Sequence, residues 1–193
     1  MTLAVYRILI NLIFLFSPII ILIRILKGKE DLNRFPEKLG FFSKKKVGKK
    51  LIWFHGASVG ELLSVIPLIE NLEKDKNIDQ ILLTSSTISS AKVFSKFKFK
   101  KTIHQFFPID SNIISKKFIN FWKPSISIFI DSEVWPNMIL NLNKEKIPLI
   151  LLNARITKKS FKRWKILKNF ADKIFQCFSN TYPCNNCLLY TSD

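Results

Sequence analysis

Five short apolar runs, each followed by a stretch long enough for a helix, constrain this chain more than any other feature. The runs are Leu51–His55, Ile81–Thr84, Ile103–Phe107, Ser125–Ile130 and Ile147–Leu152. They are too short for helices and apolar enough for strands covered on both faces. Glu61–Lys74 carries Leu62, Val65, Ile66, Ile69 and Leu72 at helical spacing. Further helices are expected at Ser89–Phe97, Asn112–Phe121, Pro136–Lys144 and Ser160–Asn169, with a sixth strand over Lys173–Phe178. Such alternation builds a mostly parallel sheet with helices on both faces. The expected fold class is α/β, with a Rossmann-like domain over residues 51–178.

Ahead of that domain, Leu3–Ile25 is almost wholly apolar, interrupted by Arg7, Asn11, Ser17 and Pro18. About 20 apolar residues at ~1.5 Å per residue cover a hydrocarbon core. No small-residue cleavage site comes after Ile25, so residues 1–30 are expected to form an uncleaved membrane-anchor helix rather than a signal peptide. The basic flank beginning at Arg24, Lys27 and Lys29 implies that the α/β domain lies on the cytoplasmic side of the membrane. Asn11 and Pro18 weaken the span, which leaves an in-plane interfacial helix open. Residues 31–50 read as a basic connector.

The formal net charge of +17 has two readings. One is attraction to an anionic membrane face or a phosphorylated substrate. The other is compositional drift, because the excess is mostly Lys spread along a chain rich in Ile, Phe and Asn. No zinc-finger, RNP-like or basic heptad pattern is present, so nucleic acid is not an expected partner. The three cysteines, Cys177, Cys184 and Cys187, make neither a disulfide framework nor a four-ligand zinc site. Neither a metal nor a cofactor is expected.

In a parallel α/β sheet the strands end at one edge, and ligands bind there. Polar residues come after the strands at His55–Glu61, Ser85–Thr87, Asp131–Pro136 and Asn153–Ile156. Gly56-Ala57-Ser58-Val59-Gly60 matches the G-x-S-x-G elbow of a serine hydrolase, but the only later histidine, His104, comes too early for the usual order. The loop is neither a dinucleotide fingerprint nor a phosphate-binding loop. Alone it reads as a strand-to-helix turn needing glycine for backbone freedom, with Glu61 in the first helical turn.

It does not stand alone. His55–Glu61 (HGASVGE) with Pro67 downstream, Asp131–Asn137 (DSEVWPN), Asn153–Ile156 (NARI) and Arg34–Phe41 (RFPEKLGF) after an apolar anchor together resemble the 3-deoxy-D-manno-octulosonic acid (Kdo) transferases. The resemblance implies the N-terminal half of a two-domain GT-B glycosyltransferase that inverts the anomeric centre. Such enzymes move Kdo from CMP-Kdo to the lipid A precursor (lipid IVA) in lipopolysaccharide biosynthesis. It further implies Glu61 as proton acceptor and Glu133 as a group supporting the transition state. A carboxylate suits the first role; for Glu133, capping of the next helix is the alternative. Ser58 and Gly60 are expected to contribute to substrate binding, and Arg155 offers a fork for a phosphate or carboxylate, or else a surface ion pair. Trp135 and Pro136 shape their loop.

The family pattern continues into a donor domain with a glycine-rich loop and a later lysine, neither of which occurs in these residues. Cys187–Asp193 (CLLYTSD) is also encodable as a transposase adapter string, so residues 179–193 are expected to be an artefactual tail on an N-terminal fragment that is inactive alone. The competing class is a membrane-tethered, non-catalytic module that binds phosphorylated lipid.

Overall fold

The computed structural model describes residues 3–184; Cys187 and most of the expected tail lie outside them. The chain begins with two helices, α1 (Leu3–Leu15) and α2 (Ser17–Leu26). A short 3-10 helix, Phe35–Leu39, comes next. The domain then alternates: β1 (Leu51–His55), α3 (Val59–Leu72), β2 (Gln80–Ser85), α4 (Ile88–Phe94), β3 (Thr102–Phe106) and α5 (Asn112–Trp122). It continues as β4 (Ile126–Ile130), α6 (Pro136–Lys144), β5 (Leu149–Ala154), α7 (Lys158–Ile166), α8 (Lys168–Phe175) and β6 (Asn180–Pro183). The strands form one sheet in the order β3-β2-β1-β4-β5-β6, with parallel pairing throughout.

The period of two along β1 sends its side chains into two cores. Leu51 and Trp53 enter a cluster with Phe118 and Trp122 of α5, Met138 and Leu142 of α6, and Phe170 and Ile174 of α8. Phe54 enters the opposite cluster with Leu62, Val65, Ile66 and Ile69 of α3. Each such side chain, fully buried, stabilises the fold by about 1.5–3 kcal/mol relative to exposure.

Chain order reverses at the centre of the sheet. From β1 the chain winds outward through β2 and β3, then returns to β4 on the other side of β1. The β1/β4 boundary is therefore the switch point, where the loops after two neighbouring strands diverge and leave a crevice.

Two expectations need correction. Lys173–Phe178 is not a strand: Phe170, Ala171 and Ile174 are spaced to bury one face of α8, and the sixth strand is Asn180–Pro183. The sheet thus continues past residue 178. The apolar N-terminal stretch is also not one helix. No single helix among the described residues is long and apolar enough to cross a membrane, and α1 and α2 meet at a bend of 53°. In one continuous helix Pro18 would leave the Phe14 carbonyl without its N–H and set its ring against that oxygen; with the break at Phe16, Pro18 falls in the first turn of α2, where proline is tolerated.

The connector is not a loose linker. Glu37 is buried and accepts from Arg34 Nε (2.8 Å), Ser43 Oγ (2.5 Å) and the Phe106 backbone N–H (2.7 Å), fixing the 3-10 helix to β3. Glu30 bridges Arg24 at 2.8 Å and Lys38 at 2.6 Å, tying the end of α2 to the same helix.

Candidate active site

The loop between β1 and α3 is built by a reciprocal cap. Ser58, the N-cap residue of α3, accepts from the Glu61 backbone N–H at 3.3 Å. Its hydroxyl in turn donates to Glu61 Oε1 at 2.7 Å, while the Ala57 N–H donates to Oε2 at 2.7 Å. This is a capping box with the carboxylate reaching one residue further back than usual. Both oxygens of Glu61 are fixed at the helix N-terminus, where the helix dipole favours a negative charge.

The two glycines act differently from the expected turn. Neither has a positive φ. At Gly56 the constraint is space: a Cβ would lie 2.9 Å from the Glu61 Cβ and 3.2 Å from Ile130 Cδ1. At Gly60 a Cβ would meet nothing within 4 Å, because this residue borders an open cleft.

That cleft, about 300 Å³, is lined by Ser58, Gly60, Glu61, Ser64, Ile130, Asp131, Asn153, Arg155 and Cys184. It lies at the switch point between the loops after β1, β4 and β5. Asp131 (φ 65°) and Asn153 (φ 54°) both take left-handed backbone there. Asx residues tolerate that region better than most, and such strain concentrates where a site requires it. Arg155 donates through Nε to Asp131 Oδ2 at 2.9 Å and also through Nη2, forming an ion pair at the rim of the cleft. The guanidinium remains largely exposed and faces the cleft. Four of the five expected site residues, Ser58, Gly60, Glu61 and Arg155, therefore share one cavity.

Glu133 stands at the same sheet edge but does not line that cleft. Its Oε2 accepts from His55 Nε2 at 3.1 Å and from Trp135 Nε1 at 2.7 Å. Burial raises its pKa, but the His55 and Trp135 hydrogen bonds outweigh this and hold it below the usual carboxylate range. His55 is fully buried, stacked on Phe107 at 3.8 Å between ring centroids, with Nδ1 3.0 Å from Thr84 Oγ1. Facing a carboxylate, Nε2 is assigned as the protonated nitrogen.

Glu133 does not cap α6. Asp110, in the loop after β3, does so from a distance: Oδ2 accepts from Asn137 N at 2.9 Å and Oδ1 from Met138 N at 2.8 Å. Tyr6 Oη adds a bond to Oδ2 at 2.7 Å. Burial pushes the Asp110 carboxyl up to about 6 against the pull of these hydrogen bonds. The rule that flagged polar residues after strands reaches Asp110 as well, through Pro108-Ile109-Asp110-Ser111; Tyr6 gave no comparable signal.

The hydrolase arrangement is not formed. The Ser58 hydroxyl donates to Glu61, His55 is committed to Glu133 and Thr84, and His104 contacts Ser85 Oγ at 2.8 Å and Arg34 Nη2 at 3.1 Å. Among the described residues, no group of three or more His, Cys, Asp or Glu is arranged to hold a metal ion.

Residues 33–186 match the family described as 3-deoxy-D-manno-octulosonic-acid transferase (kdotransferase). The chain is 43% identical over 169 residues to the 3-deoxy-D-manno-octulosonic acid transferase of Rickettsia bellii (strain RML369-C), covering 86% of this chain and 40% of that protein. It is 39% identical over 163 residues to the probable mitochondrial 3-deoxy-D-manno-octulosonic acid transferase of Arabidopsis thaliana, covering 83% and 36%. The chain thus spans about two-fifths of the length of these relatives. A crystal structure of a putative UDP-N-acetylglucosamine 2-epimerase from Listeria monocytogenes superposes with a TM-score of 0.54 at 14% identity, covering 76% of this chain and 43% of that one. At that identity the likeness is one of fold. Since the family match covers most of the chain and includes both glutamate-bearing loops, the chain belongs to the 3-deoxy-D-manno-octulosonic acid (Kdo) transferase family.

Proposed function

We propose that this chain is the acceptor-side half of an inverting GT-B transferase that passes Kdo from CMP-Kdo to the lipid A precursor, lipid IVA. Glu61 accepts the proton of the attacking hydroxyl. The observation that carries this reading is the Glu61 carboxylate, fixed by Ser58 and Ala57 on the wall of a cleft that also presents Arg155. A base must be held within hydrogen-bonding reach of the proton it takes, and a preset carboxylate meets that condition with no reorganisation. Arg155, on its Asp131 support, attracts a phosphate or carboxylate of either substrate. Glu133 stays ionised on its His55 and Trp135 contacts and stabilises positive charge developing at the anomeric carbon.

The helix pair α1–α2 seats the enzyme on the inner membrane from the cytoplasmic side. Ile8, Leu12, Leu15, Ile19, Leu22 and Leu26 are exposed, an apolar surface unsuited to water. The bend favours a helix pair lying in the interface over a straight span.

The test uses an enzyme of the relatives' full length, supplied with CMP-Kdo and lipid IVA, comparing wild type with Glu61→Gln. Loss of a general base lowers the rate by ~10²–10⁴. Wild-type turnover by Glu61→Gln would remove Glu61 from the mechanism. Lipid binding without turnover by either protein would favour the non-catalytic module.

A further inference from the structure

We propose that Asp110 is a positioning residue that ties the apolar helix α1 to the segment bearing Glu133, so that the seating of α1 sets where the Glu133 carboxylate stands. The kinetic part of this proposal rests on the transferase reading; the structural part does not.

The first four N–H groups of a helix need partners from outside it. For α6 the residue at the N-cap position is Trp135, whose side chain makes no cap bond, and Pro136 has no N–H to satisfy. The free donors are Asn137 N and Met138 N, and Asp110 takes both, one on each carboxylate oxygen. The grip is doubled by the Asn137 side chain, whose Nδ2 donates to the Asp110 backbone carbonyl at 2.6 Å. Asp110 is 1% exposed, so no water competes for these bonds.

Helix α1 completes the knot. Tyr6 Oη donates to the Asp110 oxygen that already holds Asn137 N, and its ring lies 6.1 Å from that of Phe170. One residue on, Arg7 donates through Nε to Asn137 Oδ1 at 2.9 Å and through Nη2 to Asn112 Oδ1 at 3.3 Å. Helix α1, apolar apart from Tyr6, Arg7 and Asn11, thus commits Tyr6 to Asp110 and Arg7 to the first turns of α5 and α6.

Only Val134, Trp135 and Pro136 separate Glu133 from Asn137. The segment is therefore clamped at both ends: at Glu133 by His55 and Trp135, and at Asn137 by Asp110, Tyr6 and Arg7. A shift of α1 pulls on the second clamp and is passed to the first through a run too short to absorb it. A displacement of ~1 Å in a catalytic group is enough to cost ~10²-fold in rate.

The experiment has two arms. In the first, the ¹⁵N-labelled chain in detergent micelles is compared as wild type, Tyr6→Phe and Asp110→Asn by the indole N–H resonances of its four tryptophans. Tyr6→Phe keeps the ring against Phe170 and removes only the hydroxyl, so it covers the case in which Asp110→Asn fails to fold. The Trp135 resonance, reporting the bond to Glu133 Oε2, is expected to move, while that of Trp53, bonded to Thr84 within the sheet, stays in place. A Trp135 signal unchanged in folded Tyr6→Phe overturns the proposal. In the second arm, the full-length enzyme carrying Tyr6→Phe is expected to lose roughly 10-fold or more in kcat with KM for the donor unchanged. An unchanged kcat alongside a shifted Trp135 signal also overturns the positioning role. A wild type without activity defeats the transferase reading instead, and leaves the Trp135 result to decide the structural coupling.

Discussion

Ser58 and Glu61 satisfy each other: the Glu61 N–H donates to Ser58 Oγ at 3.3 Å, and that same hydroxyl donates to Glu61 Oε1 at 2.7 Å. The pair starts α3 and fixes a carboxylate on the cleft wall with one set of bonds. A residue that looks like a nucleophile in sequence is thus a support for its neighbour. The hydroxyl proton points at a carboxylate, where no imidazole is available to remove it.

Ser58→Ala is therefore expected to cost stability before chemistry. Loss of the cap destabilises by ~0.5–2 kcal/mol, read as a lower urea midpoint. In the full-length enzyme, transfer falls only modestly because the Ala57 N–H still holds Glu61. Complete loss of activity with native stability would restore Ser58 as a reacting group.

Removal of residues 1–30 is expected to release the protein from phospholipid vesicles in a flotation assay, because the exposed apolar side chains of α1 and α2 go with them. The shortened chain also loses the Tyr6 and Arg7 bonds, so it should unfold at lower denaturant than the parent. Equal flotation of the two chains would place membrane binding elsewhere.

The layers and most strands were legible because parallel strands buried on both faces read as short unbroken apolar runs bounded by polar turns. The cleft was legible because its residues come directly after strands in sequence. Failures came where a run was ambiguous or the partner distant. Ile174–Phe178 is apolar enough for a strand, and only the pairing of Phe170 with Ile174 on one face assigns its start to a helix. The bend at Pro18 turns on how one missing N–H is accommodated. The Asp110 cap joins residues 27 positions apart and its Tyr6 bond 104, separations that local periodicity does not encode.

Asp110 gives a pH signature with a definite sign. Its carboxyl is raised from 3.8 to about 6 in the folded protein, burial being the larger cause. Between those values the folded state holds a proton that the unfolded state has released. The contribution to stability is therefore full below about 4 and is lost as pH rises through about 6. At about 1.4 kcal/mol per unit the loss is on the order of 3 kcal/mol. Denaturation of wild type and Asp110→Asn at a series of pH values isolates it, since asparagine does not titrate in this range. The stability of wild type relative to the variant should fall between pH 4 and 6; a flat difference would contradict the assignment.

Gly60 separates folding from function most cleanly. It lies in the first turn of α3, without a positive φ, and a Cβ there would meet nothing within 4 Å. Glycine within a helix is worse than alanine by ~0.8–1.0 kcal/mol in the interior, and somewhat less near an end. The fold alone therefore gives no reason to keep it. The open space that accepts a Cβ belongs to the cleft beside Glu61 and Arg155, so an added methyl group takes volume from the ligand, not from the core. Gly60→Ala is expected to raise the urea midpoint by up to ~1 kcal/mol in equivalent stability. In the full-length enzyme it should raise KM for the lipid acceptor while leaving KM for the donor nearly unchanged. Increased stability with unaltered acceptor KM would mean that the acceptor does not approach α3, and would move its binding site away from this cleft.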